Sequence, residues 1–227
     1  MSKTHSELSW PAKVALVLSL TLLGLGIAAY INQPDSASTD NTTQSALKTR
    51  LATPRPLTAF QLTTHDQKPF DLNRLKDKWT LLFFGYTHCP DVCPTTLTEL
   101  AQTIKQLEPA VLKDTQFVFV SVDPARDTPE SLAEYVNYFD ARFLSATGSV
   151  QALRSLTQQL DVKFSLETNP IGEPIVNHSS TILLIDPQVR YYARLNAPHY
   201  AEQISAQYLA LRDDYQHNLS TAKPTAK

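Results

Sequence analysis

The only two cysteines of this chain stand four positions apart, at Cys89 and Cys93, inside the run Phe84-Gly85-Tyr86-Thr87-His88-Cys89-Pro90-Asp91-Val92-Cys93-Pro94. A bridge between them would close too short a loop to hold distant parts of a fold together. The pair therefore points to chemistry, either binding of a soft metal ion or thiol exchange. The run follows the apolar stretch Thr80–Tyr86 and precedes apolar residues at 97, 100, 104 and 107, which is helical spacing. A strand-to-helix turn sets both sulfurs at a helix N-terminus, where free N–H groups and the positive dipole end favour a thiolate. Pro94 suits the first helical turn, where its missing N–H costs little. The flanking prolines and Asp91 predict that both sulfurs lie at a rim of the domain, outside the core. Three intervening residues make a wider loop than a tight redox pair needs, so the thiolates could share one ion. Cu(I) and Zn suit thiolates, and imidazole suits either of them or Cu(II).

Six histidines are available as a further donor. His5 lies before a long apolar segment, His217 lies near the polar C-terminus, and His65 falls in a hairpin turn. His88 adjoins Cys89, but neighbours in an extended chain point to opposite sides, which makes joint ligation awkward. His199 begins the last helix as a surface or capping residue. His178, in Ile175-Val176-Asn177-His178-Ser179-Ser180, precedes the apolar run Thr181–Ile185. On residues alone it is either a structural histidine or a ligand. Asp123, in Val122-Asp123-Pro124-Ala125-Arg126-Asp127-Thr128-Pro129, follows a second apolar strand. That places it on the sheet edge where α/β proteins bind ligands. It either tunes the site or merely caps the turn, whereas Asp127 reads as a helix cap and Arg126 as the ion partner of one of the two aspartates.

Elements must exist to hold these residues. Phe60–Thr63 and Pro69–Leu72 read as a short hairpin, and Thr80–Tyr86 and Gln116–Val122 as buried central strands. Helices are expected over Thr95–Leu107, from Pro129 to about Tyr138, over Val150–Leu160 and over Ala201–Leu211. Thr181–Ile185 and Arg190–Leu195 read as strands joined by the turn Asp186–Val189. Strand and helix alternate before a closing hairpin and helix. That order predicts an α/β sandwich of thioredoxin-like architecture over residues 58–212.

The remaining chain reads as an anchor and its flanks. Val14–Ile31 is eighteen residues without a charge, enough for a spanning helix, with Trp10 and Tyr30 suited to the two interfaces. It is long for the apolar core of a cleaved signal peptide, the alternative reading. Lys3 and Lys13 precede it, so residues 1–13 are expected in the cytoplasm and the rest beyond the membrane. Residues 32–57 have the polar composition of a flexible tether, and 213–227 that of a polar tail. A net charge of -2 and no basic stripe exclude a nucleic-acid footprint.

Phe84–Pro94, Val122–Pro129 and Val176-Asn177-His178-Ser179 together resemble the Sco/SenC family of copper proteins of cytochrome c oxidase assembly. The resemblance extends over about residues 58–212. It implies a thioredoxin-like fold, copper (Cu(I), Cu(II) or both) held by Cys89, Cys93 and His178, and Asp123 among the surroundings of the site. It also implies a partner in the copper-site subunit of the oxidase, with the domain on the periplasmic, extracytoplasmic side of the membrane. Asn177 departs from the family's common aspartate beside the histidine. Three functions follow. The first is a copper metallochaperone. The second is a thiol-disulfide oxidoreductase in which Cys89 attacks and Cys93 resolves. The third is a peroxidase or stress sensor that needs one cysteine.

Overall fold

A computed structural model describes residues 10–31, 44–168 and 174–221, and the chain divides into two units, Met1–Asp40 and Asn41–Lys227. In the first, Trp10–Ile31 forms one helix of 22 residues (α1), about 33 Å long at ~1.5 Å per residue. The leucines at 16, 18, 20, 22, 23 and 25 are exposed along it. Among the described residues no helix is long and apolar enough to cross a membrane. Several side chains of α1, those at 12, 13, 17 and 28–31, lie outside them.

The second unit is built on β4 (Trp79–Gly85), in which every residue is buried. Successive side chains of a strand point to opposite faces, and β4 sends Leu81 and Phe83 to one apolar cluster and Leu82 and Phe84 to another. Each such side chain, fully buried, contributes about 1.5–3 kcal/mol. A strand apolar on both sides needs a cover on both sides. One face is covered by α4 (Val92–Gln106), α6 (Pro129–Phe139) and α8 (Ala201–Thr221). The other is covered by α7 (Val150–Gln159) and Leu75 of the short helix α3 (Leu72–Leu75). The expected α/β sandwich is present.

Eight strands form the sheet, in the order β1 (Arg50–Pro56), β10 (Arg190–Leu195), β9 (Ile182–Ile185), β4, β5 (Thr115–Ser121), β6 (Phe143–Thr147), β2 (Leu62–Thr64), β3 (Pro69–Phe70). β4, β5 and β6 run parallel, while β9 lies antiparallel to β4 with Phe83 opposite Ile182. β7 (Phe164–Thr168) and β8 (Pro174–His178) pair as a separate two-stranded sheet.

Two boundaries expected from composition need correction. Residues 50–56, read as tether, form the edge strand β1 against β10, preceded by a helix (α2) at 44–49. Pro54 and Pro56 hid it, but an edge strand tolerates proline because one row of its N–H groups has no ladder partner. Helix α8 runs ten residues beyond Leu211, into the stretch read as a polar tail. Tyr215 is buried against Trp79 at 5.0 Å and Tyr192 at 5.7 Å between ring centroids. Asp214 accepts from the Tyr192 hydroxyl at 2.7 Å and pairs with Arg50 of β1 at 3.2 Å. The supposed tether and tail thus clasp each other. Residues 32–43 and 222–227 lie outside the described residues. Replacing Tyr215 by Ala is expected to cost about 3 kcal/mol, read as a fall of roughly 6–12 °C in Tm. No measurable change would mean that the C-terminal turns of α8 do not pack.

Candidate metal centre

The turn between β4 and α4 carries both cysteines. Its backbone reverses with the Cys89 N–H on the Tyr86 carbonyl at 3.2 Å, and α4 begins at Val92 with Asp91 as its N-cap. Cys93 sits in the first turn of α4 as expected, but the expectation of a rim outside the core is wrong. Cys93 is 0% exposed and Cys89 8%, and both belong to the apolar cluster beneath α4. The helical period decides this: Cys93, Leu97, Leu100 and Ile104 share the buried face of α4.

Burial changes the protonation expected from sequence. The Cys93 thiol is pushed far up, first by a hydrogen bond to Cys89 and then by desolvation, against a lowering by the Tyr86 backbone. Here the contact with Cys89 and the loss of water outweigh the helix N-terminus. The two thiols are unbridged and in hydrogen-bond contact.

Room for the inner sulfur depends on Gly85. A Cβ built there would stand 2.7 Å from Cys93 Sγ and 2.6 Å from the Phe119 ring, closer than real Cβ contacts allow. Both neighbours are fully buried, so neither can yield cheaply. Gly85→Ala is expected to destabilise the domain by about 1–3 kcal/mol and to change the reactivity of Cys93 toward a thiol reagent. Native stability with native reactivity would show that Cys93 has freedom the packing denies.

Asp127 was missed as a positioning residue. Rather than capping α6, a role taken by Thr128, its carboxylate reaches back to the cysteine turn. It accepts from the Thr87 N–H at 3.0 Å, the Thr87 hydroxyl at 2.6 Å and the Ser121 hydroxyl at 2.5 Å. Its side chain has no exposed surface. The sequence signal was slight: an aspartate just past a strand end that neighbours the cysteine turn. Asp123 is also buried, and Arg126 donates to it from Nε at 2.5 Å. The same guanidinium lies 5.8 Å above the Tyr86 ring, and the Tyr86 side chain hydrogen-bonds Cys89. Asp123 therefore bears on the cysteines through Arg126 and Tyr86. The Tyr135 hydroxyl is buried without a hydrogen-bond partner, and both thiols lie within its electrostatic reach.

His178 ends β8, with Phe164 as its register partner, in a strand where a loop was expected. Its side chain lies outside the described residues, as does His5. Among the described residues no group of three or more His, Cys, Asp or Glu could hold a metal ion. The chain continues through 179–181 into β9, whose Ile182 pairs with Phe83 near the end of β4. Sheet pairing thus leads the backbone at 179–181 toward the same edge as the cysteine turn and the segment after β5. His199 acts on that segment. Far from a surface cap, it is half-buried and donates from Nε2 to the Ser180 carbonyl at 2.6 Å. An open groove lined by Arg154, Thr157, Val162 and Phe164 holds neither cysteine.

Burial lowers the His199 pKa below its ordinary 6.5. Its folded pKa is depressed, so between the two values the unfolded chain binds more protons and stability rises with pH. The contribution is full above about 6.5 and is lost as pH falls toward the folded value. His199→Gln is therefore expected to flatten the fall in stability on acidification, checked by denaturant midpoints across pH 5–7.5. An unchanged slope would show that His199 is not held neutral.

The model of the SCO1/SenC family matches residues 49–211. The chain belongs to the SCO1/SenC family. A protein of Stutzerimonas stutzeri whose name suggests copper binding is 36% identical over 144 residues, covering 63% of this chain and 71% of its own length. The mitochondrial SCO2 protein of Saccharomyces cerevisiae is 37% identical over 146 residues, covering 63% of this chain but 48% of its own. The chain thus spans about half of that mitochondrial relative. Among solved structures, apo Sco1 of Thermus thermophilus matches with a TM-score of 0.65 at 36% identity, covering 72% of this chain and 95% of that one. Arabidopsis thaliana ScoI, solved with copper bound, matches with a TM-score of 0.63 at 30% identity, covering 70% and 98%. BsSco shares the fold at 23% identity with a TM-score of 0.54, covering 69% and 95%. It is described as having a disulfide switch and as belonging to the Sco family of cytochrome c oxidase assembly proteins.

Proposed function

We propose that this SCO1/SenC protein is a membrane-tethered copper carrier, with Cys89, Cys93 and His178 as ligands, that serves maturation of the binuclear copper site of cytochrome c oxidase. The observation that carries this reading is the pair of unbridged thiols in hydrogen-bond contact, Cys93 in the first turn of α4 and Cys89 in the turn that leads into it. Two soft donors in an apolar surround suit Cu(I). As bare thiolates they would be two like charges deprived of water; around a cation the charge largely cancels. The carried ion is cargo. The chain's own residues hold the donors in place: Gly85 and Phe119 seat the inner sulfur, Asp127 pins the turn, and Tyr86 bonds the outer one. Asp123, through Arg126, orients Tyr86 from outside the ligand set.

In this reading residues 14–31 anchor the chain in the inner membrane, 1–13 remain cytoplasmic, and the globular domain faces the extracytoplasmic side near an oxidase subunit. The uncharged, mostly apolar sequence of that stretch and its single helix support the anchor. A thiol-disulfide oxidoreductase is the second reading, favoured by one observation: the outer thiol has some exposed surface and the inner has none. Cys89 would attack a partner disulfide, and Cys93 would release the mixed disulfide.

The test is Cu(I) titration of the full chain, prereduced and anaerobic, against His178→Ala. One copper per native chain is expected, with affinity reduced at least tenfold in the variant, a difference of about 1.4 kcal/mol. Because the Cys93 thiol is pushed up, it is protonated at neutral pH. Loading should therefore release at least one proton per copper in weak buffer and tighten as pH rises. Equal affinity in both chains would remove His178 from the set. No copper with rapid disulfide exchange would favour the oxidoreductase.

A further inference from the structure

His88 lies outside the ligand set, yet its ring is held in a defined state. An ionised carboxylate only accepts hydrogen bonds, and a threonine hydroxyl has one hydrogen to give. Thr87 Oγ1 gives that hydrogen to Asp127 Oδ1 at 2.6 Å. His88 Nδ1 lies 3.0 Å from the same oxygen, so the ring must supply the hydrogen of that contact. Nδ1 is also 3.8 Å from Asp127 Oδ1, which reinforces a protonated Nδ1. In the neutral ring the lone pair then resides on Nε2. The imidazole is 57% exposed, while the carboxylate behind it is fully buried.

A buried carboxylate acting through a hydroxyl thus fixes the tautomer of an exposed imidazole. Partners of this kind prepare histidines to bind metals. The next residue is the outer thiol, Cys89, and the inner thiol follows one turn later with no exposed surface. Donors are graded from solvent to core along six residues of chain.

Building on the copper reading above, we propose that His88 Nε2 is the entry ligand, which captures Cu(I) from a thiol carrier and passes it inward to Cys89. The transfer is ligand exchange, with no change of oxidation state. The bond from the ion to the carrier's thiolate breaks as the bond to Nε2 forms. Cys89 then loses its proton to water, its sulfur binds the ion, and the neutral imidazole departs. His88 lies in the turn that the Cys89 N–H closes on the Tyr86 carbonyl, and its exposed ring stands outside the apolar cluster that holds both thiols, so the imidazole and the thiol act in turn. A buried pair alone would offer an incoming ion only the small exposed surface of Cys89.

The test uses the prereduced full chain, with Cu(I) presented by a small thiol carrier. Uptake rate is followed by stopped flow, and affinity is measured in competition with a chromogenic Cu(I) chelator. In His88→Ala, uptake should slow at least tenfold, about 1.4 kcal/mol of barrier, while affinity stays within about twofold. Thr87→Val should slow uptake in the same direction. On the metal-free native chain, the nitrogen shifts of His88 should report a protonated Nδ1, a signature lost in Thr87→Val. Native uptake by His88→Ala, a parallel loss of affinity, or a protonated Nε2 in the native chain would each overturn the entry role. A native chain that binds no copper would overturn the copper reading itself, whereas unchanged uptake with tight binding overturns only the entry step.

Discussion

The site depends on one buried carboxylate. Asp127 has no exposed side-chain surface, and a charge so placed is tolerated only when hydrogen bonds replace the lost water. Three donors do so: the Thr87 amide, the Thr87 hydroxyl and the Ser121 hydroxyl. Charge-assisted bonds of this kind are about twice as strong as neutral ones. They join the turn after β4 to the end of β5, two strands already paired from Trp79 and Thr115 to Gly85 and Ser121. The turn that carries His88 and Cys89 therefore has little freedom.

Around that tie, the hydrogen bond from Cys89 and then burial, rather than the helix N-terminus, set the chemistry of the Cys93 thiol. The dipole of α4 favours negative charge by about 0.3–1 kcal/mol at an exposed site. The hydrogen bond between Cys89 and Cys93 favours the neutral form of Cys93, and the cost of removing a thiolate from water adds to that preference. Cys93 is accordingly a poor nucleophile while protonated, and a soft cation can take the place of its proton. Gly85 belongs to the same logic, because a fully buried sulfur over a central strand leaves no volume for a methyl group beneath it.

Support for the sheet comes from both ends of the domain. Arg50 at the start of β1 and Asp214 near the end of α8 meet beside Tyr192, and Tyr215 completes an aromatic cluster on Trp79. Trp79 begins β4, so the cluster stabilises the strand whose far end presents the cysteine turn. Composition alone could not reveal this. Arg50–Pro56 is polar and proline-rich, and the last turns of α8 are mostly charged or amide residues apart from Tyr215.

Local pattern was enough to determine the central strands, the helix after the cysteines and the pair Cys89 and Cys93, because periodicity and a four-residue spacing are properties of neighbours in the chain. The motif runs around 84–94, 122–129 and 176–179 were enough to identify the family. The edge strand β1, the hairpin β7–β8, the length of α8 and the burial of both thiols emerged only in the fold, because each depends on a partner far away in sequence. So did the roles of Asp127, whose donors lie forty and six residues back, and of His199, which holds a carbonyl nineteen residues earlier. A side chain's type says what bonds it can make; only tertiary packing decides which partner is near enough, and dry enough, for the bond to matter.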